Sequence, residues 1–287
     1  MPADNPSSAA PSSTDLLKQL GLLRDDIDRI DLSMHELLME RGRIIDRLIE
    51  IKQGQGGGSA FRPGREAEMM ARLAQRHTGL LPLDTAEGIW RIIIATFTYV
   101  QSNFSVHVDG SAGDAQMRDS ARFHFGFTVP YCPQESPAAV IAAVAAASGD
   151  LGMVRIEAGP QAGAWWKALE GERAPKIIAR LPFVERPDHP AGLPVFTIAL
   201  PLHEAAARDS IVWSAEVERW SDDVLPLLAK LGVEVLGDAG TGLGLAMMIA
   251  APGSVSRDEI AAAFRASGIG DARLVEIGSH ARRYEVP

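Results

Sequence analysis

The sequence predicts a multidomain chain with an all-α first part, an α/β lobe and a final α+β module. Residues 14–108 carry apolar side chains at helical spacing. Beyond a polar, glycine-bearing stretch at 109–120, short apolar runs alternate with helical segments, and from residue 206 the order is βαββαβ. We therefore predict a helical domain at 14–108, a linker at 109–120, a lobe at 121–205 and a last domain at 206–287.

The first helix is the longest predicted element. It begins at a Ser12–Asp15 cap and runs to about Lys52 without a proline, until the glycine-rich segment 54–59 ends it. A short second helix begins near Pro63, a residue type favoured in the first turn, and ends before Gly79.

A third helix is predicted from Asp84 to about His107. Asp84 is assigned as its N-cap because Glu87 follows three residues later, as in a capping box. The lobe is predicted to contain a strand at Arg122–Thr128, a helix at Ser136–Ser148, a strand at Leu151–Glu157, a short helix at Trp165–Leu169, and strands at Lys176–Val184 and Val195–Leu200.

The last domain is predicted to have the ferredoxin-like arrangement of strands and helices, which is common in small regulatory modules. Gly240–Gly244 lies between two predicted strands, so it favours a hairpin turn over a dinucleotide-binding loop. Strands are predicted at Ser210–Val217, Val233–Gly237, Gly244–Ala250 and Ala272–Ile277. Helices are predicted at Asp222–Leu231 and Ser256–Ser267, which gives the order βαββαβ.

The composition excludes several classes of partner. The net charge is −9 and lysine and arginine form no cluster, so we expect no nucleic acid partner. No apolar run approaches the roughly 18 residues of a membrane-spanning helix, so we expect no membrane association. The single cysteine, Cys132, can form neither an internal disulfide nor a Cys-rich metal site. This fits a reducing, cytoplasmic location without a bound metal.

Cations interrupt the apolar rows of the first helix. When the helix is written in heptads, Arg41 stands in an otherwise apolar row, and Arg24 and Lys52 stand in a flanking row. A buried cation needs a partner, because burying it unpaired costs several kcal/mol. That partner is either a carboxylate in a structural ion pair or an anionic ligand with more than one carboxylate, which arginine can bind in a bidentate manner.

The spacing of these residues resembles that of the all-helical chorismate mutases. The resemblance covers about 15–104, and Gln101 falls where the family places a glutamine. Phrases similar to those of the family occur in order at Leu23–Asp31 (LRDDIDRID), Met39–Arg41 (MER), Glu50–Lys52 (EIK) and Arg62–Glu68 (RPGREAE).

The resemblance implies conversion of chorismate to prephenate, a unimolecular pericyclic rearrangement that needs no cofactor. By resemblance, Arg24 and Arg41 would hold the two carboxylates of the substrate. Lys52 and Gln101 would donate to the ether oxygen, where charge develops in the transition state. Glu66, with Arg65 beside it, would bind the ring hydroxyl. The residues assigned to catalysis are therefore Arg41, Lys52, Glu66 and Gln101.

The resemblance also implies an intertwined homodimer in which Arg24 reaches the site of the partner subunit. The two apolar rows of the first helix need a partner beyond the helices of one chain, because three helices cannot cover both. Two positions depart from the family pattern. Arg62 stands where an acidic residue is common, and Phe97 stands where some members have serine, so the rate of the reaction is left open.

Chorismate mutase is often fused to prephenate dehydratase, and Asp150–Gly159 resembles the DYGVVPIENS phrase of that enzyme. The phrase is degenerate here, and Pro194 occupies the position of the catalytic threonine. We therefore predict a dehydratase-like lobe without dehydratase activity. The final domain resembles ACT-type regulatory modules but lacks their usual effector phrases, so it either binds an effector or serves a structural or dimerising role.

Two other functions remain open at this point. An isochorismate-pyruvate lyase has the same helical fold and cationic pocket, although the dehydratase-like lobe favours the mutase. A non-catalytic regulatory subunit of an aromatic-pathway enzyme would not need the set of charged residues Arg24, Arg41, Lys52 and Glu66.

Overall fold

The computed structural model describes residues 12–53, 61–157, 163–201, 207–242 and 244–285. Four predicted features lie partly or wholly outside these ranges: the segment 54–59, the end of the Asp150–Gly159 phrase, the domain boundary between 205 and 206, and Leu243 in the predicted hairpin turn. The chain divides into two compact units, Met1–Gly58 and Ser59–Pro287.

The described part of the first unit is one long helix, α1 (Ser13–Gln53). It has 41 residues, which corresponds to a length of about 60 Å. Ser12 stabilises its start by accepting a hydrogen bond from the backbone N–H of Asp15 at 3.2 Å. No described side chain of α1 is buried, and large apolar side chains are exposed along it from Leu16 to Ile51. The prediction that the first helix ends near Lys52 is confirmed, because α1 ends at Gln53.

The second unit begins with two further helices, α2 (Pro63–Arg76) and α3 (Leu83–Gln101). Their existence agrees with the prediction, but the capping box predicted for α3 is wrong. Pro82 precedes α3, and no side chain caps it. Asp84 and Glu87 are buried and bind residues distant in sequence instead. α3 ends at Gln101 rather than near His107 as predicted, and residues 106–109 form a strand instead.

The remaining helices and strands were predicted in most cases, with small shifts at their ends. The helices are α4 (Ala115–Phe125), α5 (Pro137–Ala146), a 3-10 helix (Trp165–Leu169), α6 (Val224–Lys230) and α7 (Arg257–Ala266). The strands are β1 (Val106–Asp109), β2 (Tyr131–Gln134), β3 (Leu151–Arg155), β4 (Lys176–Leu181), β5 (Val184–Glu185), β6 (Val195–Ala199), β7 (Ser210–Val217), β8 (Glu234–Thr241), β9 (Gly244–Pro252), β10 (Arg273–His280) and β11 (Tyr284–Glu285).

The segment Arg122–Thr128 was predicted as a strand, and this is wrong, because most of it belongs to α4. The alternation of phenylalanine with other residues at 123, 125 and 127 suggested a strand. The buried residues of α4 have the three- and four-residue spacing of a helix instead. They are Met117, Ser120, Ala121, His124 and Phe125.

Nine strands form one sheet in the order β2-β1-β3-β6-β4-β10-β7-β9-β8. β1 pairs in parallel with β2 and β3, and β6 lies antiparallel between β3 and β4. β10, β7, β9 and β8 are antiparallel, with α6 and α7 packed on one face. The predicted βαββαβ module and the hairpin between β8 and β9 are thus confirmed.

The lobe and the final module share this sheet through β4 and β10. The two strands are parallel and pair at Ile177 and Gly278. Gly278 has φ +144°, and a Cβ atom added there would lie 2.2 Å from the carbonyl oxygen of Ile177. Glycine is therefore the residue that permits this close approach.

Helices α2 and α3 share a hydrophobic core with the segment that follows β4. Met70, Leu73 and Ile94 from these helices pack with Phe183 and Val184. The domain boundaries predicted from the sequence stay predictions, and α4 begins inside the stretch predicted as a linker. None of the helices in the described ranges has the length and apolar character of a membrane span.

Candidate active site

The three cations predicted to bind carboxylates lie on α1. Arg24 is exposed, Arg41 is half-buried, and Lys52 lies in the last turn with its side chain outside the described atoms. At 1.5 Å and 100° per residue, Arg41 and Lys52 are about 17 Å apart along the axis and about 20° apart around it. They therefore share one face of α1. Arg24 and Lys52 are about 42 Å apart along the same axis.

The other three predicted residues lie on α2 and α3, in the second unit. Arg65 is exposed and Glu66 is half-buried in the first turns of α2. Gln101 is the last residue of α3, and its Nε2 donates a hydrogen bond to the backbone carbonyl of Phe97 at 3.0 Å. The structure thus groups the six residues by helix, three on α1 and three on α2 and α3.

Glu66 belongs to a buried ionic cluster that it forms with two residues of α3. Its Oε2 lies 3.3 Å from Nη1 of Arg91, and these side chains are 13% and 11% exposed. The Nε of Arg91 lies 3.6 Å from Oε1 of Glu87, whose side chain is fully buried. The second carboxylate oxygen of Glu87 accepts a hydrogen bond from the backbone N–H of Val184 at 2.9 Å.

A second carboxylate of α3 binds the same distant segment. Oδ2 of Asp84 lies 3.0 Å from Nη1 of Arg186 and 3.1 Å from Nε2 of His189. The first half of α3 is therefore held to residues 184–189 by two buried carboxylates.

A cavity of about 40 Å³ adjoins Glu66 and Arg91. Its wall is largely apolar, and its polar lining includes His124, Arg180 and Thr197. Among the described protein atoms, neither ring nitrogen of His124 nor Oγ1 of Thr197 has a hydrogen-bond partner. The cavity has room for ordered water that would satisfy such groups.

Burial sets the charge of the titratable groups in this cluster. It raises the pKa of Glu66 from 4.5 to about 7, because desolvation of the carboxylate outweighs the attraction of Arg91. Burial also raises the pKa of Glu87, against the opposing effects of Arg91 and the backbone N–H of Val184. It lowers the pKa of His124, which is therefore neutral at pH 7. Glu66 is thus poised to change charge near neutral pH.

Sequence reasoning missed Arg91 and assigned Glu87 to a different role. Arg91 is the single cation in the apolar run 89–95, and Glu87 precedes it by one helical turn. A cation in such a run needs a buried partner, which is the argument that singled out Arg41. The same argument applied to α3 would have found Arg91 and its need for a buried acidic partner, but not that Glu87 is that partner.

The candidate residues of each unit offer charged groups that can form ion pairs and hydrogen bonds. Within the described ranges, no group of three or more His, Cys, Asp or Glu side chains could hold a metal ion. The guanidinium and ammonium groups of α1 suit carboxylates, and an ionised Glu66 can accept a hydrogen bond from a hydroxyl group.

Residues 23–102 match the family model for chorismate mutase type II. The chain is also 29% identical over 143 residues to a bifunctional chorismate mutase/prephenate dehydratase of Pseudomonas aeruginosa, covering 48% of this chain and 39% of that protein. An Aquifex aeolicus protein with the same description is 28% identical over 145 residues, covering 49% of this chain and 40% of that protein. The predicted resemblance is confirmed, and the chain spans about two fifths of the length of these relatives.

Solved structures of prephenate dehydratases are similar in part. The enzyme of Streptococcus mutans aligns with 64% of this chain and 100% of its own, with a TM-score of 0.40 and 12% identity. The enzyme of Arthrobacter aurescens in complex with L-Phe aligns with 62% of this chain and 90% of its own, with a TM-score of 0.42 and 13% identity. At these TM-scores the likeness carries no argument about function.

Proposed function

We propose that this chain, whose residues 23–102 match chorismate mutase type II, converts chorismate to prephenate. The match is the observation that carries the proposal, because it spans all six residues predicted to bind the substrate. The reaction breaks an ether C–O bond and forms a C–C bond within one molecule. The protein has only to hold the substrate in its reactive shape and to stabilise the charge that develops.

The cations of α1 supply most of that stabilisation. Arg41 binds one carboxylate in a bidentate manner, and Lys52 donates to the ether oxygen as its bond breaks. These residues share a face of α1, about 17 Å apart along the axis, so their long side chains can approach one ligand from its two ends. A preorganised donor of this kind lowers a barrier by about 3 kcal/mol.

The residues of α2 and α3 complete the set. Gln101 is the second donor to the ether oxygen, because its amide carries two N–H groups and only one of them is needed for the hydrogen bond to the carbonyl of Phe97 at 3.0 Å. Glu66, in its ionised form, accepts a hydrogen bond from the ring hydroxyl, and Arg65 lies next to it in the sequence. Phe97 offers no polar group to the substrate, so we expect weaker binding of one carboxylate.

The working form in this proposal is a homodimer with Arg24 contributed in trans. Arg24 and Lys52 of one chain lie about 42 Å apart along α1, and no single small molecule spans that distance. The exposed apolar side chains of α1 support a second copy as the occupant of this surface, since a long unpartnered apolar helix is unstable in water.

We also propose that the lobe has no dehydratase activity. The position of the catalytic threonine is Pro194, which has no hydroxyl group, and its carbonyl accepts a hydrogen bond from the N–H of Ile156 at 3.2 Å. The backbone at this position therefore pairs the segment just after β3 with the residue just before β6.

The test is to follow the loss of chorismate with the purified full-length chain and to identify the product. Prephenate, detected as phenylpyruvate after acid treatment, is expected. Unchanged chorismate would exclude the proposal. Phenylpyruvate formed without acid would reveal an active dehydratase, and release of pyruvate from added isochorismate would identify a lyase.

Replacing Lys52 tests the assignment of the site. Lys52→Ala removes a donor to the ether oxygen, so kcat/KM is expected to fall at least about 100-fold with unchanged circular dichroism. Lys18→Ala, on the exposed first turns of the same helix, is the matched control and should leave the rate unchanged. Full activity of Lys52→Ala would show that Lys52 is not in the pocket.

A further inference from the structure

We propose that Arg91 is a positioning residue that fixes the orientation and the charge of Glu66. Glu87 of α3, which is itself anchored to the backbone of the segment following β4, holds Arg91 in place. This inference rests on the proposed function, because it deepens the role given there to Glu66. It assigns a part in the reaction to residues beyond those named by the family resemblance.

The geometry places Arg91 between the two carboxylates. Its Nη1 lies 3.3 Å from Oε2 of Glu66, and its Nε lies 3.6 Å from Oε1 of Glu87. One guanidinium is thus shared by an acid on α2 and an acid on α3. Since Arg91 contacts Oε2 of Glu66, the other oxygen can accept the hydroxyl of a ligand.

The position of Arg91 is fixed from its other side. Glu87 is fully buried, and its Oε2 is held by the backbone N–H of Val184 at 2.9 Å. The backbone of a strand is less mobile than a side chain, so Glu87 cannot follow Glu66 if the latter moves. The chain of contacts Val184–Glu87–Arg91–Glu66 therefore sets one orientation for the acid on α2.

The cluster has two carboxyl groups for one guanidinium. Glu66 is the less buried acid, and burial already raises its pKa to about 7. Other cationic or titratable groups on the same cavity are His124 of α4, which is neutral, and Arg180 of β4, which is paired with Glu234 at 2.6 Å. Arg91 is therefore the group on which the ionised form of Glu66 depends most.

Two substitutions should shift the pKa of Glu66 in opposite directions. Arg91→Met removes the cation and should raise this pKa by about one unit or more. Glu87→Gln keeps an acceptor for the N–H of Val184 but removes the second carboxyl group that shares Arg91, so it should lower the pKa of Glu66. The measurement is carbon-13 NMR of labelled glutamate carboxyl groups in the full chain, with Glu66→Gln to assign the signal.

Turnover supplies an independent readout. At pH 7, Arg91→Met should reduce kcat/KM about fivefold from the lower ionised fraction of Glu66 alone, and raising the pH should restore part of the loss. Arg91→Lys should retain more activity than Arg91→Met. Arg72→Met, which removes an exposed ion pair with Glu68 on the same helix α2, is the matched control and should change neither quantity.

The outcomes separate this inference from the proposed function. Failure of the wild-type chain to convert chorismate overturns the function, whereas the NMR titration still decides whether Arg91 and Glu87 set the charge of Glu66. The inference is overturned if Arg91→Met and Glu87→Gln both leave the pKa of Glu66 unchanged or shift it in the same direction. If Arg91→Met does not fold, Arg91→Lys and Glu87→Gln carry the same test.

Discussion

At the scale of single residues, Glu66 links burial to the pH at which the protein works. Its carboxyl group has a pKa of about 7, and the proposed role requires the ionised form. As the pH falls through 7, Glu66 takes up a proton and can no longer accept the ring hydroxyl. We expect kcat/KM to be constant above about pH 8 and to fall about tenfold per pH unit well below 7.

The measurement is the pH profile of kcat/KM, compared with that of Glu68→Gln. Glu68 lies two residues away on α2 and is exposed, so its replacement should leave the profile unchanged. In Glu66→Gln the acidic limb should disappear along with most of the activity. An acidic limb that persists in Glu66→Gln would assign the titration to another group.

Local sequence patterns explain why the roles of Asp84 and Glu87 could not be predicted. An acidic residue followed three positions later by glutamate fits a capping box, and nothing in the local sequence distinguishes that use from a tertiary one. Both carboxylates bind residues about a hundred positions later instead. By contrast, Arg41 could be proposed as a site residue because a cation in an apolar row is anomalous within the helix itself, and Arg24 and Lys52 stand in the row beside it.

At the scale of elements, the contact between β4 and β10 depends on a glycine. A Cβ at position 278 would overlap the backbone of Ile177, so Gly278→Ala must separate the strands or distort β10. We expect it to lower the free energy of unfolding by at least about 2 kcal/mol. Urea denaturation measures the change.

Gly240→Ala is the control for this substitution. Gly240 also lies in a strand, but a Cβ added there has no atom within 4 Å. It should change the stability by less than about 1 kcal/mol. Equal effects of the two alanines would mean that the close approach of β4 and β10 does not limit stability.

The elements that the sequence predicted well are those with one clear periodicity. α1 has heptad rows, and the final module has strands and helices separated by evident turns. The segment 122–128 has phenylalanines at alternate positions, but its first four residues belong to α4, whose helical pattern of buried residues begins at Met117. The join between β4 and β10 has no local signal at all, since it pairs residues a hundred positions apart.

At the scale of the whole molecule, the exposed apolar surface of α1 predicts the oligomeric state. Leu37 is 64% exposed in the single chain, so Leu37→Glu would be harmless in a monomer. Leu37 lies in the apolar heptad row Leu23, Ile30, Leu37, Ile44 and Ile51. In a homodimer that buries this row, the same change places a charge in the interface and should dissociate it. Light scattering should give twice the chain mass of 30.7 kDa for the wild type and the single mass for Leu37→Glu.

Glu36→Lys changes the charge of the neighbouring residue outside the apolar rows and should leave the dimer intact. A monomeric wild type would exclude the homodimer and, with it, the contribution of Arg24 in trans. The sequence could predict an unpartnered apolar helix, but the choice of a second copy came from the family resemblance.

The core shared by α2, α3 and the segment after β4 bears on how this protein can change over time. A fragment ending at residue 108 would expose Met70, Leu73 and Ile94, which pack on Phe183 and Val184, and would leave the buried Glu87 without its backbone donor. A gene split at that point would therefore produce a poorly folded first half. Whatever the later part does itself, selection on the earlier part would keep the two parts in one reading frame.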